Sequence, residues 1–174
     1  MHLEIILFER YELTFVKLNK KEVEKVSKKI KGKILAVCLS KEKGTVKKSI
    51  ESGMFIQDHG LENDAHGGKW HRQVSLLGIE SINKMKGVNF KIDFGDFAEN
   101  LTTKNIVLYK LVPGNKLIIG GEVILEVTQI GKKCHHDCEI KKKIGDCVMP
   151  REGIFAKVLK GGKVKTGDDI AVLS

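Results

Sequence analysis

The run Lys116-Leu-Ile-Ile-Gly-Gly-Glu-Val-Ile-Leu125 decides the fold class. Branched and apolar residues flank a Gly-Gly pair, which marks two strands joined by a tight turn. Glycine supplies the positive φ such turns require. The pattern returns near the end of the chain, where Lys163-Val-Lys-Thr-Gly-Asp-Asp-Ile-Ala-Val172 reads strand, Gly-Asp turn, strand. Further short branched runs at 34–40, 106–111, 123–130, 154–159 and 169–173 read as strands too. Many short strands with turn signals and few helices predict a mainly β fold, a barrel or sandwich with peripheral helices.

Working outward, residues 1–16 read as two short strands. Val23, Val26 and Ile30 then fall on one face of a helix over 19–31. Asn19 and Glu22 have the spacing of a capping box, and Gly32 is placed to stop the helix. This predicts an N-terminal strand-helix extension, 1–31, ahead of a main domain, 32–174. Within that domain Leu76, Ile79, Ile82 and Met85 predict a second helix ended by Gly87. Residues 43–52 are polar with room for a helical turn. The segment 88–105 is turn-rich, and 57–73 is a long glycine-containing loop. Loops of that length in a compact domain are usually functional.

Length and composition narrow the function classes. A chain of 174 residues with 41% apolar content suits one globular domain with an accessory element. No apolar run exceeds six residues, far short of a membrane helix, and the first residues do not read as a secretory signal. The expected location is the cytoplasm, where stable disulfides are not expected. The whole excess of nine positive charges falls in residues 17–48, which hold twelve lysines and three glutamates. That segment contains no arginine and no aromatic residue, the groups that read and stack nucleic-acid bases. It reads as a solvated helix face, and neither nucleic acid nor membrane is expected as a partner.

Two stretches concentrate reactive groups. Gly131-Lys-Lys-Cys134-His135-His136-Asp137-Cys138 follows a strand, with Cys147 nine residues on. Bunched thiols and imidazoles suit a soft metal, so Cys134, Cys138 and Cys147 are candidate metal ligands, though the paired spacing of a structural zinc site is incomplete. The alternative is one reactive thiol. Lys132, Lys133, His135 and His136 surround Cys134, and nearby cations favour the thiolate. Cys38 lies inside an apolar run and reads as a small buried hydrophobe. The second stretch is the loop 58–73, with His59, His66 and His71, several acids, Trp70 and Arg72. Arg72, read as the start of the second helix, is a candidate phosphate holder beside free helix N–H groups. No Walker, dinucleotide-binding or paired-histidine zinc motif occurs.

Five stretches in order resemble the MOSC domain, the family named for the C-terminal domain of molybdenum cofactor sulfurase. They are Gly32-Lys-Ile-Leu-Ala-Val-Cys-Leu-Ser40, Asp64-Ala-His-Gly-Gly68 with Arg72-Gln-Val-Ser-Leu76, Gly95-Asp-Phe-Ala-Glu-Asn-Leu-Thr102, Gly131-Lys-Lys-Cys134, and Pro150-Arg-Glu-Gly-Ile-Phe-Ala156. The resemblance runs from about Gly32 to the C-terminus and implies a MOSC-like β-barrel that binds or processes the molybdenum cofactor. The family's key cysteine matches Cys134, which would carry persulfide sulfur or ligate molybdenum. Arg72, Lys132, Lys133 and Arg151 would face the cofactor's phosphate, Asn100 its pterin, and His66 the pocket wall. Arg151 and Asn100 also read as turn-stabilising residues. Cys138 and Cys147 depart from many relatives and leave open a three-thiol metal site or a resolving thiol. The chain is too short for the pyridoxal-phosphate desulfurase domain of full sulfurases. It therefore implies no pyridoxal phosphate, an external cysteine desulfurase or other sulfur donor, and a client molybdoenzyme. The resemblance also admits a molybdenum-dependent reductase of N-hydroxylated compounds. Anion or nucleic-acid binding by the lysine-rich segment is the remaining alternative.

Overall fold

A computed structural model describes residues 3–9, 12–18, 31–85, 91–133 and 146–173, the first two segments as paired strands only. Leu3–Glu9 (β1) and Glu12–Leu18 (β2) run antiparallel from Leu3 opposite Leu18 to Glu9 opposite Glu12. This is the strand pair that residues 1–16 predict. Most of the helix expected over 19–31 lies outside the described residues. At its expected end, Lys31 and Gly32 already belong to strand β3 (Lys31–Leu39). A Cβ on Gly32 would sit 2.3 Å from the Lys104 carbonyl oxygen, so this glycine serves close strand approach and not a helix stop.

The remaining strands are β4 (Lys48–Ile50), β5 (Ser52–Ile56), β6 (Gly60–Leu61), β7 (Val74–Gly78), β8 (Leu101–Lys104), β9 (Lys116–Ile119), β10 (Val123–Ile130), β11 (Ile154–Lys160), β12 (Gly162–Lys165) and β13 (Asp169–Leu173). Among the described residues two short helices accompany them, α1 (Ile79–Asn83) and α2 (Met149–Glu152). The order β13-β9-β10-β11-β7-β8-β3 returns to β13 and closes a seven-stranded barrel, with β4 added to the far half of β3. Among the described strands only β7 and β8 pair in parallel. A small sheet, β12-β5-β6, sends Phe55, Leu61 and Val164 into the barrel core. Among the described residues no helix is long and apolar enough to cross a membrane.

Alternation along the strands builds two apolar clusters. Val74, Leu76, Leu101, Leu125, Val127, Ile154 and Ala156 fill the barrel. Leu77 and Phe155, which lie between inward residues, point out of the wall and are covered by Ile82, Met85, Phe97, Cys147, Val148 and Met149. Burying each large apolar side chain contributes about 1.5–3 kcal/mol. This second cluster moulds the outer wall of β7 and β11, where the candidate site lies.

Several sequence expectations change here. The Gly-Gly turn forms its hairpin, with Ile119 opposite Val123 and positive φ at Gly120 and Gly121. The second run is not a hairpin: β12 pairs with β5, and β13 with β9 and β3. The Gly167 N–H donates to the Ile34 carbonyl, and the Ile34 N–H to that of Asp168. Strand β3 thus holds the turn and diverts the chain between sheets. The second expected helix shrinks to Ile79–Asn83, because residues 74–78 are buried on both faces. A continuously apolar strand mimics a helical spacing. Residues 106–111 form no strand but a 3-10 turn, Leu108–Lys110, with Ile106, Leu108 and Leu111 plugging the core. Residues 43–52 hold no helix. Their polarity reflects β4, an edge strand on which lysine is favourable. Strand β8, inside the segment read as turns, was not expected.

Candidate functional site

The site begins with a buried ion pair. Asp64 sits in the long loop and Lys47 just before β4, and both side chains are almost wholly out of solvent. One Asp64 oxygen accepts from Lys47 Nζ at 2.5 Å and from the Ser40 N–H at 3.0 Å. The other accepts from the His66 N–H at 3.1 Å. The Ala65 N–H closes the junction on the Ser40 carbonyl. One carboxylate therefore fastens the middle of the loop to the end of β3. Burial alone would raise Asp64. The His66 ring, the Lys47 ammonium and the Ser40 N–H outweigh it and hold the carboxyl below the ordinary range. Burial pulls Lys47 down, with Asp64 opposing.

His66, about one-third exposed, turns Nδ1 towards this pair, 3.5 Å from Lys47 Nζ and 3.6 Å from Asp64 Oδ1. Its carbonyl accepts from the Trp70 indole N–H at 2.8 Å. The indole in turn lies under the Arg72 guanidinium, 4.9 Å from ring centroid to Cζ, and Phe155 lies 5.6 Å from the same carbon. The structure thus links His66 and Arg72 through Trp70. Arg72 precedes strand β7, not a helix, so the helix N–H groups expected beside it are absent from that position.

Behind the wall, Asn100 is buried. Its carbonyl oxygen accepts from the Ser75 N–H and hydroxyl, and its amide donates to the Cys38 carbonyl at 3.1 Å. The side chain is spent in joining β7, β8 and β3. Glu99 is fully buried. One of its oxygens accepts from the Gly95 N–H and the Thr102 hydroxyl, each at 2.8 Å, and the other has no partner among the described residues. Burial raises its pKa against those hydrogen bonds. Cys38 is the inert buried thiol the sequence predicts: burial, with Glu99 adding to it, pushes the thiol up to about 12. Lys47, Asp64 and Glu99 were not singled out as site residues from the sequence. Asp64 and Glu99 lie within the stretches that carry the family resemblance, whereas Lys47 has no signal beyond its place in the lysine-rich segment.

The third part joins β10 to β11. The Gly131 N–H donates to the Gly153 carbonyl at 2.7 Å, and the Lys132 N–H to that of Pro150 at 3.2 Å. These bonds bring Lys132 and Lys133 beside α2. Lys132 is half-buried and Lys133 exposed. Arg151 points to solvent and clasps Asp146 through two nitrogens, at 2.9 and 2.7 Å. That geometry favours its turn-stabilising role, and the carboxylate raises its pKa. Cys147 is buried in the cluster that holds Phe155. Cys134 and Cys138 lie outside the described residues. Among those described, no group of three His, Cys, Asp or Glu side chains could hold a metal ion.

Phe155 is therefore the hub. Arg72 stacks on it, Cys147 packs in its cluster, and the strand it belongs to follows α2, whose Pro150 carbonyl accepts from the Lys132 N–H. Arg72 is the group that asks for a ligand. It is half-buried, its Nε is buried without a partner, and its guanidinium has no ion pair or hydrogen bond among the described residues. An anion beside it would satisfy charge and donors together. The donor set thus fits a phosphate-bearing cofactor.

Comparison with known proteins bears on the fold and the family. Solved structures with this architecture include the YUAD protein from Bacillus subtilis, 21% identical, with a TM-score of 0.69 over 82% of this chain and 96% of that one. YiiM from Geobacillus stearothermophilus is 16% identical, with a TM-score of 0.62 over 82% of this chain and 75% of that one. YiiM from Escherichia coli, also 16% identical, reaches 0.60 over 83% and 70%. These likenesses establish the fold. No curated protein sequence matches the chain. The MOSC domain model matches residues 63–171, from the pinned loop through the last barrel strand, and by that match the chain belongs to the MOSC domain family.

Proposed function

We propose that this chain binds the molybdenum cofactor on the outer wall of β7 and β11 and carries sulfur on Cys134 for its maturation. The MOSC family is associated with molybdenum cofactor sulfurase-like function. The observation that carries the reading is Arg72, a half-buried cation that faces two aromatic rings and, among the described residues, no carboxylate. Arg72 would take the cofactor's phosphate, with Lys132 and Lys133 adding positive charge at the junction of β10 and α2. Arg151, engaged by Asp146, would brace that junction. Asn100 and Glu99 would hold the wall behind it, and the Lys47–Asp64 pair would keep the His66 loop in place. The bound cofactor supplies molybdenum and its dithiolene sulfurs.

Cys134 would act as a thiolate. It attacks the outer sulfur of a donor persulfide. One S–S bond forms at Cys134, the donor's S–S bond breaks, and the electron pair leaves on the donor thiolate. No external oxidant or reductant is consumed. The donor is a desulfurase-type partner and the recipient a molybdoenzyme precursor.

The test is cyanolysis and molybdenum analysis of freshly purified protein. Wild type is expected to release thiocyanate and to hold molybdenum after incubation with the cofactor. Cys134→Ala is expected to lose the thiocyanate while its circular dichroism stays unchanged. Equal thiocyanate from both proteins rejects Cys134 as the carrier.

A further inference from the structure

Trp70 is the chain's only tryptophan and is 38% exposed. Isolated exposed apolar residues are common, but this one is held on three sides. Its N–H is tied to the His66 carbonyl at 2.8 Å, Arg72 covers its ring, and His71 meets it edge-on at 5.9 Å. His66 is itself anchored through Asp64 to the buried Lys47. The ring's freedom is thus already spent before any ligand arrives, which is the main cost of using an aromatic side chain for binding. The adjoining guanidinium has no carboxylate among the described residues to neutralise it. The loaded ring is therefore a poor host for a second cation, because the attraction of its π-cloud is already engaged by Arg72. It remains a good host for a flat, uncharged ring.

We propose that the exposed part of Trp70 is a stacking platform for a planar uncharged heterocycle, with Arg72 as its rigid backing and as the nearest cation for an anionic substituent of the same ligand. This rests on the cofactor reading above and identifies the guest as the pterin ring system. Trp70 is then a binding residue that sets ligand shape, while Arg72 sets ligand charge.

The test is titration calorimetry of the full chain with pterin-6-carboxylate, and separately with inorganic phosphate and choline. The emission of the single tryptophan is followed in parallel. The pterin is expected to bind more tightly than phosphate and to change the emission, whereas choline does not bind. Trp70→Ala and Trp70→Leu should each weaken pterin binding by at least about 10-fold, and Trp70→Phe by no more than about 3-fold. The Leu variant keeps apolar bulk without a π-face, so it separates stacking from folding. Pterin binding unchanged in Trp70→Leu, or choline bound as tightly as the pterin, overturns the platform. If those same variants still retain molybdenum cofactor like wild type, the platform falls alone. If wild type binds neither pterin nor the cofactor, the cofactor reading falls with it.

Discussion

Lys47 and Asp64 form an ion pair that the fold does not let water reach. Removing one partner of a buried pair leaves an uncompensated charge and costs about 3–5 kcal/mol. Lys47→Met is expected to lose that much in urea unfolding. The double variant Lys47→Met/Asp64→Asn should lose less than the single one, because the stranded charge is gone. If the double variant loses the sum of the two singles, the pair is not the source. Glu99 gives a pH signature of opposite sign to Asp64. Its folded pKa is raised, so between the ordinary value near 4.5 and the raised one the folded protein keeps a proton that the unfolded chain has released. Its contribution is complete below that window and falls as pH rises through it. Asp64, held low, contributes above its ordinary value and loses that contribution as pH falls below it. Glu99→Gln mimics the protonated acid and should flatten the loss of stability as pH rises from about 4.5. Urea midpoints across that range that fall in parallel with wild type reject this assignment. Neither group was legible as a site residue in the sequence. A lysine within a lysine-rich segment reads as solvated until the fold places an aspartate against it.

At the scale of elements, close backbone contacts seat the site. Gly131 ends β10 with φ at +64°, and a Cβ there would lie 2.1 Å from the Pro150 carbonyl oxygen. Gly95 has φ at +91°, and its Cβ would lie 2.2 Å from the Lys47 carbonyl oxygen. Contacts that short, against backbone, cannot be relieved by a rotamer change. Gly131→Ala is expected to separate the start of α2 from the end of β10 and to weaken cofactor retention more than it lowers the melting temperature. Gly95→Ala should lower the melting temperature, because it pries the 93–100 loop from the segment that carries Lys47. A Gly131→Ala protein that retains the cofactor like wild type would show that this junction does not seat the site. Here the sequence was a fair guide, since both glycines lie in the stretches that carry the family resemblance. It misled where burial is two-sided. Residues 74–78 feed the barrel with Leu76 and the outer cluster with Leu77, and such a run has no face for periodicity to reveal.

For the whole molecule, closure is the controlling event. Strand β13 bridges β9 and β3, and Ile170 is completely buried at the seam. Strands β3 and β13 lie at opposite ends of the barrel sequence, so no local pattern announces their pairing, and the Gly-Asp run before β13 mimics a hairpin. The first Gly-Gly hairpin was legible because its partners are neighbours. The same geometry separates what the barrel needs from what it does not. Strands β3, β7 to β11 and β13 close the ring among themselves, whereas β1 and β2 pair with each other in a sheet of their own. A chain beginning at Lys31 is therefore expected to unfold cooperatively, within a few degrees of the full chain, and to bind the cofactor equally well. A chain ending at Asp168 loses the seam, exposes Ile119 and Leu117, the partners of Ile170 and Val172, at an unpaired edge, and should aggregate or remain unfolded. Thermal scans of the two truncations decide the matter. Failure of the first to fold would make residues 1–30 part of the barrel's own stability, and cooperative folding of the second would show that the ring does not depend on its last strand.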